Sequence, residues 1–401
     1  MKNESYLFSQ VHQPFFIASF FWAILSMIFF LLSYKGIIAL PQSPIEFHYY
    51  TLSYGVILQA FIGFIFTTYP RFCQTEVIDK KHYTLVFILF ELGLLTYFTG
   101  SLLSKNSIMI SGVMINFIAI ALVAKTLYKI FKQANPVMNY DPYWILTGFI
   151  SGFIAHFIFF INLFLTHPLL EQLAINSTIY LFLLFVTFAV AQRMVHFFSH
   201  SIIEKRKDFA KYVFIALIII TLLHTFVIFN NSFLLLTSLI EIALGVYLFL
   251  EFKRWELPFK GSPSILQILH VALFWFPIGL LFNALADLNT FFTANTSAAL
   301  GVHLLVLGFV ITMLIGFGTR VTLGHSGQPP HADMLAMQIF YLTQIVVFIR
   351  FVYSLNIGFE LGLDFLFDIS ATLWILMFLF WVTRFGMVLI SGKKLKINSR
   401  R

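Results

Sequence analysis

Residues 297–331 read SAALGVHLLVLGFVITMLIGFGTRVTLGHSGQPPH. The first part is apolar for about twenty residues, the length of a helix that crosses a bilayer. It carries one imidazole, His303, and ends in Arg320. Thr322 to Ser326 then read as a short polar turn that brings His325, closed by Gly327 and two prolines. Ionisable groups at membrane depth cost about 2.5–3.5 kcal/mol each on insertion scales, so their presence on one span marks a functional element with partners elsewhere in the chain.

Outward from this stretch, the composition sets the class. Of 401 residues, 60% are hydrophobic and 10% charged, whereas a soluble globule carries about 25% charged residues. The sequence predicts an all-α polytopic membrane protein, a single membrane domain over residues 1–401. Twelve apolar runs lie near 13–34, 47–69, 83–103, 107–131, 143–165, 175–197, 211–229, 232–252, 265–286, 297–319, 335–355 and 363–390. A cleavable leader is not expected, because only Lys2 precedes the first run and that run is longer than a signal core. The lone cysteine, Cys73, rules out an internal disulfide and a covalently attached c-type haem. The net charge of +8 sits in short loops and not on one face or tail, which argues against nucleic acid as a partner and for the lipid bilayer. With these spans, 22 of the 25 Lys and Arg residues fall on one side, leaving only Lys35, Lys105 and Arg350 on the other. The positive-inside rule then predicts that both termini are cytoplasmic.

The second, sixth and tenth runs end alike: TTYPRF at Arg71, AVAQRMVHFFSH after Arg193, and GFGTRVTLGHSG after Arg320. The arginines are separated by 122 and 127 residues, about four helices, which predicts three four-helix units and a pseudo-threefold repeat. A snorkelling arginine at the end of each descending helix gives the same pattern without a repeat.

Twelve histidines stand out among so few polar residues. At a rise of about 1.5 Å per residue, His48, His224 and His303 lie near the outer face and His156 near the midplane. His12, His196, His270 and His325 lie near the inner face, while His82, His167, His200 and His331 read as solvated loop residues. Neutral imidazole ligates haem iron, copper and zinc alike. His48 and His303, on different helices at one depth, are the candidate haem pair; Arg350 would hold propionates or pair with Asp364 or Asp368. His12, His270 and His325 are the candidate copper trio. Exchanging the two assignments would bring Arg193 and Arg320 to the propionates. Each histidine also has the plainer reading of an interhelical hydrogen-bonding side chain. No CxxC, Walker, HExxH or serine-nucleophile motif is present.

The stretch GVHLLVLGFVITMLIGFGTRVTLGHSGQ resembles the signature region of the NnrS family, twelve-helix membrane proteins with haem and copper that are linked to nitric oxide response. His303, Arg320 and Leu323 to Gly327 match, with Ser326 for the usual threonine and Gln328 for the usual arginine. His12 with Pro14, Phe15 and Phe16 is similar to the family's amino-terminal element. So are His48 with Gly55 and GFIFTTYP, AQRMVHFFS, and ILHVALFWFPIGLL around His270, to elements that follow in the same order. The resemblance implies haem b, copper, nitric oxide or another small diatomic ligand, and the cytoplasmic membrane of a bacterium. Two departures bear on the metals: Tyr49, Tyr50 and Thr51 follow His48 where the family has a second histidine and a glutamate, and His196 stands where proline is common. Two other classes are weighed. A respiratory enzyme akin to subunit I of the haem-copper oxidases and nitric oxide reductases would need an HH pair and an HxH, and neither occurs. A secondary transporter would need helices broken near the midplane in two related halves, and Pro277, Gly316 and Gly318 do not repeat in that way.

Overall fold

The computed structural model describes residues 6–135, 140–201, 203–297 and 299–395. Lys2, Lys396, Arg400 and Arg401, which enter the charge count, lie outside them. The protein is 82% helix, with no strand among the described residues. Twelve helices are long and apolar enough to cross a membrane: α1 (His12–Tyr34), α2 (Pro44–Cys73), α3 (Lys80–Leu102), α4 (Asn106–Lys132), α5 (Tyr140–Leu165), α6 (Pro168–Phe198), α7 (Phe209–Phe226), α8 (Ser232–Arg254), α9 (Ser264–Thr293), α10 (Leu300–His325), α11 (Met334–Phe359) and α12 (Phe365–Ser391). Each coincides with one expected run, with ends that shift by a few residues. Two begin earlier than hydropathy indicates, because a cap and a proline at the first turn start the helix in polar sequence. Ser43 Oγ accepts from Glu46 N–H ahead of Pro44, and His167 Nδ1 accepts from Leu169 N–H ahead of Pro168.

The expected polar turn at Thr322–Ser326 is instead the last turn of α10, which remains helical to His325. Leu323 is buried there, 2% exposed, and chain reversal waits for Gly327 at φ +69°. This leaves Thr322 and His325 on one helical face, three residues apart.

Burial separates three helices from the rest. Within its apolar stretch α2 is 89% buried, and α6 and α10 are each 83% buried, against 33–61% for the other nine. A helix apolar all round belongs inside such a bundle. Each of the three also contains a wide π-helical segment: Thr51–Ile57, Ser177–Leu184 and Leu304–Ile311. Their starts are 126 and then 127 residues apart, so the four-helix period read from the arginines recurs in the backbone. The register differs by one turn, however. Arg193 and Arg320 both lie 16 residues beyond the start of their π segment, and that place in α2 is Thr67, with Arg71 four residues further on.

A π turn displaces the backbone ladder, and inside an apolar bundle the affected carbonyls attract hydroxyl donors. Ser19 Oγ donates to Val56 O at 2.9 Å, Thr187 Oγ1 to Leu183 O at 2.7 Å, and Thr312 Oγ1 to Leu307 O at 3.0 Å. Thr312 N–H bonds to the same Leu307 carbonyl.

Close packing divides the chain into two compact units. One runs to Leu146 and takes in Gly318–Ile339 and the chain from Trp374 onward; the other is Thr147–Phe317 with Phe340–Leu373. In the first unit α3 and α4 pack backbone to backbone. A side-chain carbon at Gly100 would land on the Met109 backbone, one at Gly112 on the Tyr97 backbone, and one at Gly93 on Asn116. Small residues of this kind let membrane helices approach until their backbones touch. The same unit holds a half-buried carboxylate: Glu91 accepts from Trp22 Nε1 at 3.0 Å and from Gln59 Nε2. In the second unit α6 and α10 meet through their π segments. Phe276 stacks on Phe309 at 4.8 Å, and Trp275 Nε1 donates to Gln344 at 2.8 Å.

Replacing Gly100 with alanine should therefore push backbone against backbone and lower stability by about 1–3 kcal/mol, the range for overpacking. Gly324→Ala, with open space around its Cα, should stay within about 0.5 kcal/mol of the parent. Thermal unfolding in detergent, followed by gel filtration, measures both.

Candidate functional site

The first unit brings together the first residue of α1 and the last of α10. His12 is 1% exposed, and its ring lies 5.0 Å from that of His325, edge to face at 72°. The start of α1 is fixed by Gln13, whose Oε1 accepts from Ser9 Oγ at 3.0 Å and Gln10 N–H at 2.9 Å. Tyr83 Oη anchors the preceding turn by donating to Phe8 O at 2.7 Å. Gln10 then clasps His325 from both ends. Its Nε2 donates to His325 O at 3.2 Å, and its Oε1 lies 3.0 Å from His325 Nδ1. An amide oxygen only accepts, so in this arrangement His325 carries its proton on Nδ1 and its lone pair on Nε2. His12 Nδ1 is buried and has no hydrogen-bond partner among the described residues, and neither does Thr322 Oγ1 on the same face as His325. Arg71 acts electrostatically on both rings. Two neighbouring imidazoles, one tautomer-fixed and one with an unpartnered buried nitrogen, form a donor pair of the kind that suits copper or zinc.

The other histidines are placed as follows. His48, in α2 three residues before the π segment, lies against Phe30 with ring centroids 4.2 Å apart. His303, directly ahead of its π segment, has Nδ1 2.8 Å from Ala299 O. A carbonyl accepts only, so this proton is also on Nδ1. His270 is fully buried in the second unit; its Nε2 lies 2.7 Å from Ser199 Oγ, and its Nδ1 has no hydrogen-bond partner among the described residues. His196 Nε2 bonds to Ile203 O, with its ring on Trp255. His156 is fully buried in α5, its ring tilted at 52° to that of Phe159 with centroids 6.4 Å apart. The Arg350 guanidinium lies 4.7 Å over the Tyr353 ring, while Asp364 accepts from Asn356 Nδ2 at 3.0 Å. Arg193 and Arg320 hold the equivalent places beyond their π segments.

A family model described as NnrS protein matches residues 6–393, almost the whole chain. The chain belongs to the NnrS family. A search of curated proteins returns no match. Membership supports a membrane protein of nitric oxide response, and the residues that carry the family resemblance are those just described: His12, His48, His270, and His303 with Arg320 and His325. NnrS membership alone does not point to a further group in the second unit. His224, Glu241 and Asp287 bring one ligand atom each to within 4.8 Å of one another. His224 was singled out by sequence, but its carboxylate partners were not. The available signal was two acids inside apolar runs of a chain with only 17 acidic residues.

Exposure predicts the order of imidazole reactivity. His167, His200 and His331 are exposed, whereas His12, His156 and His270 are 0–1% exposed. Diethyl pyrocarbonate should modify the first three first in the detergent-solubilised protein, with peptide mass spectrometry as the readout. Early labelling of His12 would contradict its burial.

Proposed function

We propose that this NnrS protein carries haem b and copper on histidines and binds nitric oxide at the metal, in the cytoplasmic membrane with both termini inside. The observation that carries the copper part is the buried, unpartnered Nδ1 of His12 beside His325, whose tautomer Gln10 fixes. Ligating histidines generally donate their second nitrogen to a carbonyl, carboxylate or similar acceptor, which sets the ring and raises its basicity. The Gln10 clasp has that form. His270, with its own unpartnered buried Nδ1, is the third candidate donor.

For haem, His303 is the first candidate, its ring oriented by the Nδ1–H given to Ala299 O. His48 is proposed as the second histidine that would hold the haem, and Arg350 as the cation that would pair with its propionates. Haem iron in such a site supplies a centre that binds diatomic gases and changes oxidation state. The protein's own contribution is to hold the imidazoles in one tautomer and to exclude water with a dense apolar surround. The absence of HH and HxH sequences favours ligand binding or protection over an oxygen-reducing binuclear centre. The placement of the termini rests on the 22 to 3 division of Lys and Arg.

The purified protein should show a Soret band that shifts on dithionite reduction and again with nitric oxide, with iron and copper in elemental analysis. A colourless, metal-free preparation from cells supplied with both metals would sink this reading. His303→Ala should lose or shift the haem spectrum, whereas His82→Ala should leave it unchanged. Gln10→Ala should weaken copper by about 10–100-fold, the usual effect of removing a partner that orients a ligand, with the Soret band unaltered.

A further inference from the structure

Three helices of the second unit converge on one polar point. His224 lies two residues before the end of α7, Glu241 in the first half of α8, and Asp287 six residues before the end of α9. Glu241 is fully buried, while the His224 and Asp287 side chains are each 15% exposed. Nε2 of His224 stands 3.0 Å from Asp287 Oδ2 and 3.7 Å from Glu241 Oε1. At 3.0 Å an ordinary hydrogen bond would be expected, yet its geometry is not met. Nε2 of His224, Oε2 of Glu241 and Oδ2 of Asp287 are all buried without a hydrogen-bond partner among the described residues.

The surroundings hold these groups in place. Asn283 Nδ2 donates to Glu241 Oε1 at 2.7 Å and to Tyr180 Oη at 3.3 Å, which leaves Oε2 as the oxygen without a partner. The Tyr180 ring stands edge on to His224 at 5.4 Å. Asn283 is in turn pinned by Gly301, where a side-chain carbon would collide with it. Ser238 Oγ ties α8 to α9 by donating to Ala284 O at 3.2 Å. Deprotonated, as metal ligands must be, one imidazole and two carboxylates carry a charge of −2, which a divalent cation would offset within an apolar bundle. Three converging lone pairs with that charge match a divalent cation bound by mixed nitrogen and oxygen ligands.

We propose that His224, Glu241 and Asp287 form a binding site for a divalent first-row cation of the zinc type, separate from the His12–His325 pair, with Asn283 orienting Glu241. Zinc bound by one imidazole and two carboxylates leaves a fourth position for water. The site ties α7, α8 and α9 together by a link that does not depend on haem or copper.

The test is zinc uptake by the full chain. Protein treated with chelator and then equilibrated at micromolar free zinc should retain one zinc per chain that His331→Asn does not remove, which separates it from surface binding. Glu241→Gln and Asp287→Asn should abolish that zinc, and Asn283→Ala should weaken it by about 10–100-fold. Zinc should also raise the melting temperature of the parent, since a ligand of the folded state stabilises it, and leave that of Glu241→Gln unmoved. The haem and copper readouts should be unaffected throughout. Failure of the parent to take up zinc, or equal uptake by parent, Glu241→Gln and Asp287→Asn, would overturn the proposal. Because the parent measurement needs no variant, a misfolded mutant cannot hide the answer.

Discussion

A polar group inside an apolar bundle needs a partner, because lipid and packed side chains offer none. The cost of leaving one unmet is several kilocalories per mole, comparable with the whole net stability of many domains, so the arrangement of the buried polar residues is the most constrained part of this molecule. Several of them meet partners on neighbouring elements through one of their polar atoms, while Gln42 Oε1, Gln59 Oε1 and Asn116 Oδ1 have no hydrogen-bond partner among the described residues. Glu91 is taken up by Trp22 and Gln59, Gln42 donates to Tyr97 and Ser101, and Asn116 donates to Tyr50. These are structural ties that fix one helix against the next. Single atoms without a partner recur among the described residues, so the informative case is several of them from different helices converging on one point, as at His224, Glu241 and Asp287.

The three π segments follow from the same constraint. A wide turn shifts the helix register and changes which residues face a neighbour, at the expense of a regular hydrogen-bond ladder. Among the described residues this occurs only in α2, α6 and α10, where Ser19, Thr187 and Thr312 supply hydroxyls to the affected stretch. One segment directly follows the candidate haem ligand His303, another begins three residues after His48, and the third directly follows Asn176. That residue lies at the place equivalent to His303 and bonds to Thr225 instead. The repeat has thus kept the backbone device in all three helices while the side chain at that position has diverged.

Much of this was legible in the sequence, and the limits have physical causes. Twelve spans follow from hydropathy because burial in lipid needs about twenty apolar residues whatever the tertiary structure. The four-helix period showed in Arg193 and Arg320, but Arg71 misled the register by one turn, since arginine can snorkel from neighbouring turns. The π segments have no composition of their own: TLSYGVI, STIYLFLL and LLVLGFVI would all read as ordinary helix. The last turn of α10 looked polar and broken, yet Leu323 faces inward and keeps it wound. Gln10 was invisible as a functional residue because its partner, His325, lies 315 positions away, and no local pattern encodes such a contact. His224 could be flagged by depth, but not the side chains it would meet.

The two sets of donors differ in a way that bears on which ion each would favour. His12 and His325 offer neutral nitrogens, so a metal there keeps its positive charge within an apolar surround, and a softer or lower-charged ion suffers least. His224, Glu241 and Asp287 bring two negative charges that cancel those of a divalent ion, and their oxygens suit a harder cation. Charge compensation acts over the whole low-dielectric region, so it distinguishes the sites even where imidazole is common to both. The buried pair of imidazoles is pre-oriented by an amide, Gln10, and the buried carboxylate by another, Asn283. An amide adds no charge, and it can fix a tautomer or a lone pair while leaving the electrostatic balance of the site to the ligands themselves.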